Sequence, residues 1–315
     1  MQNIKLGNSG IEVSKLCFGG LIIGPLQAGL SIDEGASVIL KALEFGVNFI
    51  DTAELYGTYP HIREAVKRWG RKPVIATKSY AYTAEGARNS LEVARRSLDI
   101  DFIDIFLMHE QESRLTLRGH REALDYYLNE KAKGKIKAVG ISTHNIEVVD
   151  ACCEMPEIDI IHPIANIKGI GIGDGTIDEM LCAIKRAFEC GKGIYSMKPL
   201  GGGNLLKLYD ECMRFILDIP YIHSIAVGMQ SVEEVAMNVL FFEGREIPND
   251  DRYSLEKKNK RLHIDYWCQA CGNCVRKCQN AALTISKGRL LVDMEKCVLC
   301  GYCGSVCPQF AIKIC

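Results

Sequence analysis

Cysteine spacing constrains the fold of this chain more than any other feature of its sequence. Eight of the fifteen cysteines lie between Cys268 and Cys307, in two runs of the pattern C-x2-C-x2-C-x3-C. The first run holds Cys268, Cys271, Cys274 and Cys278, and the second holds Cys297, Cys300, Cys303 and Cys307, each displaced by 29 positions. The mostly apolar segments 281–285 and 310–314 repeat at the same offset. We therefore predict a duplicated module whose two repeated strands pair in one small core.

The spacing is typical of ligands to [4Fe–4S] clusters. Three cysteines at steps of three surround one cluster, and the fourth of each run ligates the other cluster in two-cluster bacterial ferredoxins. The expected ligand sets are Cys268, Cys271, Cys274 and Cys307 for the first cluster, and Cys297, Cys300, Cys303 and Cys278 for the second. Pro308 follows the last ligand as that pattern asks, whereas Gln279 stands at the matching position of the first run. A pair of structural zinc sites is the alternative, because four cysteines also bind Zn²⁺.

Composition and charge are those of an ordinary soluble protein of 315 residues. Lys and Arg total 38 against 39 Asp and Glu, which favours neither nucleic acid nor an anionic membrane as a partner. The sequence shows neither an export signal nor a membrane span. We expect a cytoplasmic protein whose partners are small molecules or other proteins. An anaerobic or strongly reducing cell is expected, because thiolates and exposed clusters oxidise readily.

From residue 16 to about residue 227, short β-branched runs alternate with amphipathic stretches, which is typical of βαβ units around a parallel sheet. The eight predicted strands are Leu16–Gly19, Val47–Asp51, Val74–Lys78, Phe102–Met108, Ala138–Ser142, Ile158–His162, Gly193–Met197 and Ser224–Val227. Three helix starts have capping-box spacing: Ser31 with Glu34, Thr176 with Glu179, and Ser231 with Glu234. The predicted fold class is α/β, a (β/α)8 TIM barrel with a small C-terminal bacterial-ferredoxin-like α+β domain.

Four polar side chains stand at predicted strand ends, where the active sites of such barrels lie. Asp51 and Tyr56 follow the second strand, Lys78 ends the third and His109 follows the fourth. Together with LGNSGIEVSKL at positions 6–16 and GKIKAVGIS at positions 134–142, these residues give the sequence its resemblance to the aldo/keto reductase family. The two segments look like that family's N-terminal hairpin and fifth strand, and the resemblance covers about residues 1–240.

With its cysteine runs, the chain resembles the branch of that family that is fused to a ferredoxin domain. This resemblance implies a barrel over residues 1–243, a linker over 244–264 and a two-cluster domain over 265–315. The linker is rich in charge and includes the turn-prone segment 248–251, Pro-Asn-Asp-Asp. We expect it to let the cluster domain fold back onto the barrel.

The resemblance implies addition of a hydride to a carbonyl carbon and of a proton to its oxygen. Tyr56 would be the general acid, and the Lys78 ammonium would favour its phenolate and lower its pKa. Asp51 would hold Lys78 charged and oriented, and His109 would donate a hydrogen bond to the substrate carbonyl. The alternative is structural: Asp51 and Lys78 form only a buried ion pair, Tyr56 packs in a loop and His109 caps a strand.

The resemblance also implies a nicotinamide cofactor. The residues at the matching positions are, in chain order, Ser142, Tyr195, Gly228, Ser231, Glu234 and Asn238. The first would hold the carboxamide, the second would stack on the ring, and the others would take the phosphates and the adenosine end. A capped surface helix is the alternative for that last segment. Glu233 and Glu234 would repel a 2′-phosphate, so NADH is favoured over NADPH, and binding of no nicotinamide stays open. The run Gly201–Gly203 either admits a phosphate or makes a turn.

Hydride transfer moves two electrons, whereas each [4Fe–4S] cluster passes one at a time, so three functions stay open. In the first, the barrel reduces a carbonyl or related small molecule with NAD(P)H, and the clusters serve stability, docking or regulation. In the second, electrons pass from a ferredoxin or other redox protein through the clusters to a substrate or a flavin at the barrel mouth, without nicotinamide. In the third, the chain is an electron-transfer or binding module without catalysis.

Overall fold

The computed structural model of the protein describes residues 1–247 and 260–315. Within the first range, an antiparallel hairpin precedes eight parallel strands that close into a barrel. In chain order the strands of this range are β1 (Asn3–Lys5), β2 (Glu12–Ser14), β3 (Leu16–Gly19), β4 (Phe49–Asp51), β5 (Val74–Ser79), β6 (Ile103–Met108), β7 (Ile136–Thr143), β8 (Ile160–Pro163), β9 (Gly193–Met197) and β10 (Ser224–Gly228). The barrel runs from β3 to β10 in sequential order, and β10 closes on β3. The predicted (β/α)8 barrel is confirmed.

All eight barrel strands fall where the sequence predicts them, and the differences are confined to their ends. The predicted Leu16–Gly19 and Gly193–Met197 are β3 and β9 without change. The predicted fifth strand is longer in the structure, because Ile136 pairs with β6 at one end and Thr143 pairs with β8 at the other. The strand ends that carry polar residues are therefore placed as the sequence indicates.

Helices connect successive barrel strands and cover the outside of the barrel. They are α1 (Ile32–Glu44), α2 (Tyr59–Trp69), α3 (Ala84–Leu98), α4 (Arg114–Gly119), α5 (Arg121–Ala132), α6 (Ile146–Cys153), α7 (Ile177–Glu189), α8 (Tyr209–Leu217) and α9 (Val232–Phe242). The capping boxes of Ser31 and Thr176 form as predicted. At α9 only half of the box forms, because Ser231 accepts the Glu234 amide while the Glu234 carboxylate binds other partners. No helix in the described ranges is long and apolar enough to cross a bilayer.

Apolar side chains form two layers, one between barrel and helices and one inside the barrel. The outer layer packs strand residues such as Ile50 against helix residues such as Leu91. The inner layer holds strand residues of the opposite parity, among them Phe49 and Leu107. Because successive side chains of a strand point to opposite faces, the residue two places after an inner residue also points inward. Asp51, two places after Phe49, thus points into the barrel at its C-terminal end.

Residues 260–315 form a small second unit, called here the cluster unit. Its elements are β11 (Leu262–Ile264), α10 (Asn273–Lys277), β12 (Leu283–Ser286), β13 (Arg289–Val292) and β14 (Ile312–Ile314). β11 pairs antiparallel with β14, and β12 pairs antiparallel with β13. The two repeated strands, β12 and β14, are not paired with each other, so that part of the prediction is wrong. Each takes a neighbouring segment as its partner, and their side chains meet in one shared core.

The sheet of the cluster unit begins inside the segment predicted as a linker. β11 lies within residues 244–264, and its pairing with β14 fixes residues 262–264 in the cluster unit. Backbone hydrogen bonds join Arg261 and Cys315 in both directions, which closes the unit on itself. The predicted turn-prone connector at 248–251 lies outside the described residues.

The 29-residue repeat appears in the backbone as well as in the cysteines. Left-handed φ angles recur at three pairs of equivalent positions: 49° and 48° at Ala270 and Leu299, 83° and 81° at Gly272 and Gly301, and 48° at both Ala281 and Phe310. A non-glycine residue adopts this conformation at a cost of about 1–2 kcal/mol, so its recurrence at matching positions is not accidental. Both cysteine loops are wound in the same way.

Candidate active site and cluster sites

The four polar residues predicted at strand ends come together at the C-terminal mouth of the barrel. Asp51 is the last residue of β4, Lys78 lies near the end of β5 and His109 follows β6 directly. Tyr56 ends the 3-10 turn that follows β4. Asp51, Lys78 and His109 are buried, and Tyr56 is partly exposed. Barrel closure places β4, β5 and β6 side by side, which gathers residues that are distant in the sequence.

Lys78 donates all of its protons to neighbouring oxygens. Its Nζ lies 2.7 Å and 2.8 Å from the two carboxylate oxygens of Asp51 and 2.8 Å from the Thr52 carbonyl oxygen. An ammonium has three donors, so no proton of Lys78 is left for Tyr56. The ammonium instead lies 5.0 Å from the centroid of the Tyr56 ring, as a cation–π contact. Lys78 is thereby held in one orientation beneath that ring.

The Tyr56 hydroxyl points toward His109. Its Oη lies 3.5 Å from His109 Nε2, at the long limit of a hydrogen bond. Burial raises the pKa of Tyr56 well above its ordinary value, and the charge of Asp51 adds to this effect. The sequence interpretation expected Lys78 to lower this pKa. The direction is reversed, because burial of Tyr56 dominates its pKa and the Lys78 ammonium bonds to Asp51 and not to the hydroxyl. Tyr56 therefore keeps its proton at neutral pH.

The His109 ring is neutral and covered on one face. Burial and the charges of Lys78 and Lys198 lower the pKa of His109 well below its ordinary value. Tyr80 stacks on the ring with centroids 4.3 Å apart, and its hydroxyl donates to Glu110 Oε2 at 2.6 Å. Sequence reasoning missed Tyr80. Its position directly after the third barrel strand was the available signal.

Tyr195 lies in the barrel interior and not at a cofactor surface. Its side chain is fully buried, its hydroxyl donates to Asp51 Oδ1 at 2.8 Å, and its ring stacks on His162 with centroids 3.9 Å apart. The predicted stacking on a nicotinamide ring is contradicted, because Tyr195 belongs to the inner layer together with Phe49. His162 was also missed. It stands two places after the inner residue Ile160, and that spacing was its signal.

The other residues predicted to hold a nicotinamide cofactor are bonded within the protein. The Ser142 hydroxyl accepts the Glu110 N–H at 2.8 Å. At the start of α9, the Ser231 hydroxyl accepts the Glu234 N–H, and the Glu234 carboxylate forms an ion pair with Lys260 at 3.2 Å. The Asn238 side-chain oxygen accepts the Tyr209 hydroxyl at 3.0 Å. Gly228 is exposed. Of these partners only Lys260 belongs to the cluster unit, and a ligand that reaches Glu234 at the start of α9 would have to replace it.

The loop that leaves the seventh barrel strand, β9, binds the cluster unit. The φ angles of Gly201, Gly202 and Gly203 are 56°, 65° and 85°, so this run is a turn that residues with side chains would adopt only under strain. The Gly202 carbonyl oxygen accepts the Ile314 N–H at 3.1 Å. Asn204 Nδ2 donates to the Ile312 carbonyl oxygen at 3.0 Å. Of the two roles considered for the glycine run, the structure shows the turn.

Phe310 of the cluster unit reaches the barrel mouth. Its side chain is buried in an apolar cluster with Ile170 and Leu205 of the barrel loops. Its ring centroid lies 4.6 Å from the Lys198 ammonium, which is hydrogen-bonded to His144 Nε2 at 2.8 Å. Burial lowers the pKa of Lys198 to about 7. The mouth is thus lined by residues of both units.

The cysteines of the second predicted ligand set line one cavity. They are Cys297, Cys300 and Cys303 from the second run and Cys278 from the first. The cavity walls are otherwise largely apolar, with Leu283 and Val298 among them. The structure therefore brings the fourth cysteine of the first run to the second group, as the ferredoxin pattern predicts. Soft thiolates in apolar surroundings fit an iron–sulfur cluster.

The first predicted ligand set shows the same local chemistry. Burial raises the pKa of Cys274, and the neighbouring thiols of Cys307 and Cys268 add to this rise. The Ala311 N–H donates to Cys307 Sγ at 3.3 Å, and in the other repeat the Ala282 N–H donates to Cys278 Sγ at 3.3 Å. Such bonds to sulfur stabilise thiolate ligands and tune a cluster. Within the described ranges, no three His, Cys, Asp or Glu side chains converge on a single metal ion.

Comparison with known proteins agrees with this geometry. Residues 15–215 match the aldo/keto reductase family, and residues 290–313 match the 4Fe-4S binding domain. Fold and site together define a barrel oxidoreductase that carries an iron–sulfur binding domain. The chain belongs to the aldo/keto reductase family.

Individual relatives are distant. "Probable aldo-keto reductase 1" of Glycine max is 27% identical over 220 residues, which cover 64% of this chain and 60% of that protein. L-galactose dehydrogenase of Arabidopsis thaliana is 23% identical over 278 residues, covering 74% of this chain and 86% of that one. Among solved structures, aldo-keto reductase AKR11C1 from Bacillus halodurans in its holo form superposes with a TM-score of 0.65 at 20% identity, over 82% of this chain and 96% of that chain. This likeness shows the fold.

Proposed function

We propose that the barrel reduces the carbonyl group, or a related group, of a small molecule, with Tyr56 as the proton donor. The observation that carries this proposal is the convergence of a protonated Tyr56 and a neutral His109, 3.5 Å apart, above the Lys78–Asp51 pair. A hydride adds to the carbonyl carbon, and the Tyr56 hydroxyl gives its proton to the carbonyl oxygen. His109 donates a hydrogen bond to that oxygen and stabilises the charge that develops on it.

Asp51 and Lys78 act by position. The Lys78 ammonium, fixed by Asp51 and Thr52, supports the face of the Tyr56 ring. Tyr195 adds a further hydrogen bond to Asp51 and so holds the carboxylate from inside the barrel. The proton of Tyr56 is retained until a substrate oxygen arrives, because burial disfavours the phenolate.

NADH is the favoured hydride donor in this proposal. Family membership supports a nicotinamide cofactor, and Glu233 and Glu234 near the adenosine end favour the form without a 2′-phosphate. When bound, the cofactor supplies the hydride. The cluster unit contacts the loop after β9 and the start of α9, where such a dinucleotide would lie. The proton chemistry proposed above needs only residues of the barrel.

The test is the variant Tyr56→Phe, assayed anaerobically on the iron-replete protein with NADH and a panel of aldehydes and ketones. Loss of the proton donor is expected to lower turnover by roughly 10²–10⁴-fold. Tyr126→Phe, which removes a phenol hydroxyl from α5 on the outside of the barrel, is the matched control and should keep wild-type turnover. Unchanged turnover in Tyr56→Phe would refute the assignment.

We further propose that the cluster unit binds two [4Fe–4S] clusters with the crossed ligand sets given above. The barrel domain then covers residues 1–243, and the cluster domain covers 265–315 together with β11. The cavity shared by Cys278 and the second run supports the crossed ligation. Because the two runs repeat in backbone conformation, both loops are suited to the same type of cluster.

A second candidate function is electron transfer from the clusters to a substrate or a flavin at the barrel mouth, with a ferredoxin or other redox protein as donor. One observation favours it: Phe310, three residues after the ligand Cys307, lies at the mouth against Lys198. Under this function reduced viologen supports substrate turnover and NADH does not, and Cys271→Ser abolishes the viologen-linked rate. Viologen that reduces the clusters without consuming substrate would count against it.

A further inference from the structure

The loops after the seventh and eighth strands are a frequent phosphate site of TIM barrels. In this protein they are the loop that follows β9 and the turn between β10 and α9. The loop after β9 contacts the cluster unit directly, and next to the turn after β10 the first turn of α9 contacts it through Glu234 and Lys260. These contacts with the cluster unit determine which other ligands can bind at the mouth of the barrel.

The first contact is a close backbone approach at the loop after β9. Gly202 accepts the Ile314 N–H, and Gly203 lies so near the Ile314 carbonyl that an added Cβ would come within 2.1 Å of its oxygen. No ligand fits between two backbones at this separation. The loop can hold either the cluster unit or a phosphate.

The second contact crosses from α9 to the first barrel loop. Lys260 pairs with Glu234 at 3.2 Å, and Arg261 donates to the Gln27 carbonyl oxygen at 3.0 Å. Gln27 follows β3, and Glu234 lies in the first turn of α9. Lys260 and Arg261 therefore bridge α9 and the first barrel loop, on the side of the mouth at which the adenosine end of a dinucleotide would lie.

The third contact is apolar. Phe310 is 5% exposed and is packed among Ile170, Leu205 and the glycine turn. Its counterpart in the other repeat, Ala281, is small and exposed. The side chain at this position is therefore suited to docking and is not demanded by the cysteine loop itself.

We propose that the cluster unit and a nicotinamide dinucleotide are alternative occupants of this cleft, so that the nucleotide binds only after the unit has left it. The inference rests on the proposed function in taking nicotinamide as the hydride donor. Docking lowers the apparent nucleotide affinity by the fraction of molecules in which the cleft is free. By linkage, the nucleotide must release the cluster unit to the same extent. One-electron transfer from the clusters then occurs only while the cluster unit is docked. Two-electron hydride transfer from the nucleotide occurs only after the unit has left the cleft.

The experiment uses the holoprotein under anaerobic conditions and measures two quantities: the Kd of NADH by fluorescence titration, and hydrogen exchange of the Ile314 amide. In the wild type, saturating NADH should raise exchange at Ile314. Gly203→Ala should raise exchange without NADH and lower the Kd by at least about tenfold. Gly134→Ala is the matched control, because Gly134 also has a left-handed φ, of 78°, but has open space around it. It should change neither quantity.

Two results would overturn the proposal. NADH that binds the wild type without changing exchange at Ile314 would show that both occupants fit at once. A Phe310→Ala protein, which leaves the barrel loops unchanged, would show that the cluster unit does not block the cleft if it loses protection at Ile314 yet binds NADH no better than the wild type. The wild-type measurement remains decisive if a variant fails to fold.

Failure of the proposed function gives a different result. If NADH displaces the cluster unit but Tyr56→Phe turns over as fast as the wild type, the assigned chemistry falls and the competition stands. If Tyr56→Phe is inactive and NADH leaves Ile314 protected, the chemistry stands and the competition falls.

Discussion

The two halves of the cluster unit have the same backbone and different surroundings. Ala281 and Phe310 are equivalent, with φ of 48° at both, but Ala281 is exposed and Phe310 is buried against the barrel. Gly272 and Gly301 are likewise equivalent. A Cβ on Gly272 would meet only side-chain atoms at 3.5 Å or more, whereas one on Gly301 would come within 2.1 Å of the Asn204 carbonyl oxygen. Docking therefore requires changes at a few positions of an otherwise repeated fold.

The largest expected effect comes from removing the iron of the proposed clusters, on which both halves of the cluster unit depend. The core of the cluster unit contains few apolar side chains besides its cysteines, and small units of this kind depend on their metal for folding. Chelation of the iron should unfold residues 260–315 and leave the barrel folded. Hydrogen exchange by segment measures this. Full protection of β12 and β13 after iron loss would contradict it.

The next largest effect is expected from substitutions at position 310 and at its equivalent in the other half, position 281. Phe310→Ala removes a buried aromatic ring and should weaken docking by about 3–5 kcal/mol. The matched change Ala281→Phe adds a ring on the exposed side and should alter stability by less than about 0.5 kcal/mol. Exchange at the Ile314 amide reports docking, and thermal unfolding reports stability. Equal effects of the two substitutions would remove the distinction between the halves.

A smaller effect is expected from the paired glycines. Gly272→Ala and Gly301→Ala both place a side chain at a left-handed φ, which should cost each protein about 1 kcal/mol or more of unfolding free energy. Gly301→Ala should also loosen docking, because Asn204 must move away. The difference between the two variants in exchange at Ile314 isolates that contact. A Gly272→Ala protein that undocks as readily would show that strain alone is responsible.

The smallest effect is a pH dependence at the docked half. Burial lowers the pKa of Lys198 from 10.5 to about 7 in the docked form. A solvated Lys198 keeps its proton to higher pH, so the docked form binds fewer protons between pH about 7 and 10.5. Docking should therefore strengthen as pH rises above about 7, and the lowered pKa of buried His144 extends a trend of the same sign to lower pH. Exchange at Ile314, corrected for its intrinsic rate, measures this trend.

Other groups face Lys198 and bear on that test. They are His144, Lys313, Glu110, Asp265 and Lys78. Burial also lowers the pKa of Lys313, which contributes a trend of the same sign. Lys198→Met should therefore flatten the pH dependence without removing it. A slope that is unchanged in this variant would assign the effect to the other groups.

Much of the site was predictable because its signals are local. Asp51 ends β4 and Lys78 lies one residue before the end of β5, where short β-branched runs predict strand ends, and the cysteine runs carry their own spacing. The inward orientation of Tyr195 was not predicted, because a strand that is buried on both faces reads as a continuous apolar run and does not show which face each residue takes. The raised pKa of Tyr56 depends on the burial of its side chain and on the nearby charge of Asp51, which follow from the packing of the mouth and not from local sequence.

The docking was not predictable from local pattern. Two contacts between the units are Gly202 with Ile314 and Glu234 with Lys260. The hydrophobic pattern of each segment is explained by packing within its own unit and does not point to the other. Contacts of this kind depend on how the folded surfaces of the barrel and the cluster unit fit together. A glycine run such as Gly201–Gly203 indicates a close approach without naming the partner.

The strand that closes the cleft, Ile312–Ile314, comes after every barrel residue in chain order. During synthesis the N-terminal part of a chain emerges and folds first. The newborn barrel therefore passes through a period in which its mouth is open, before β14 exists to cover it. A ligand present in the cell at that moment can bind the open cleft before β14 has been synthesised.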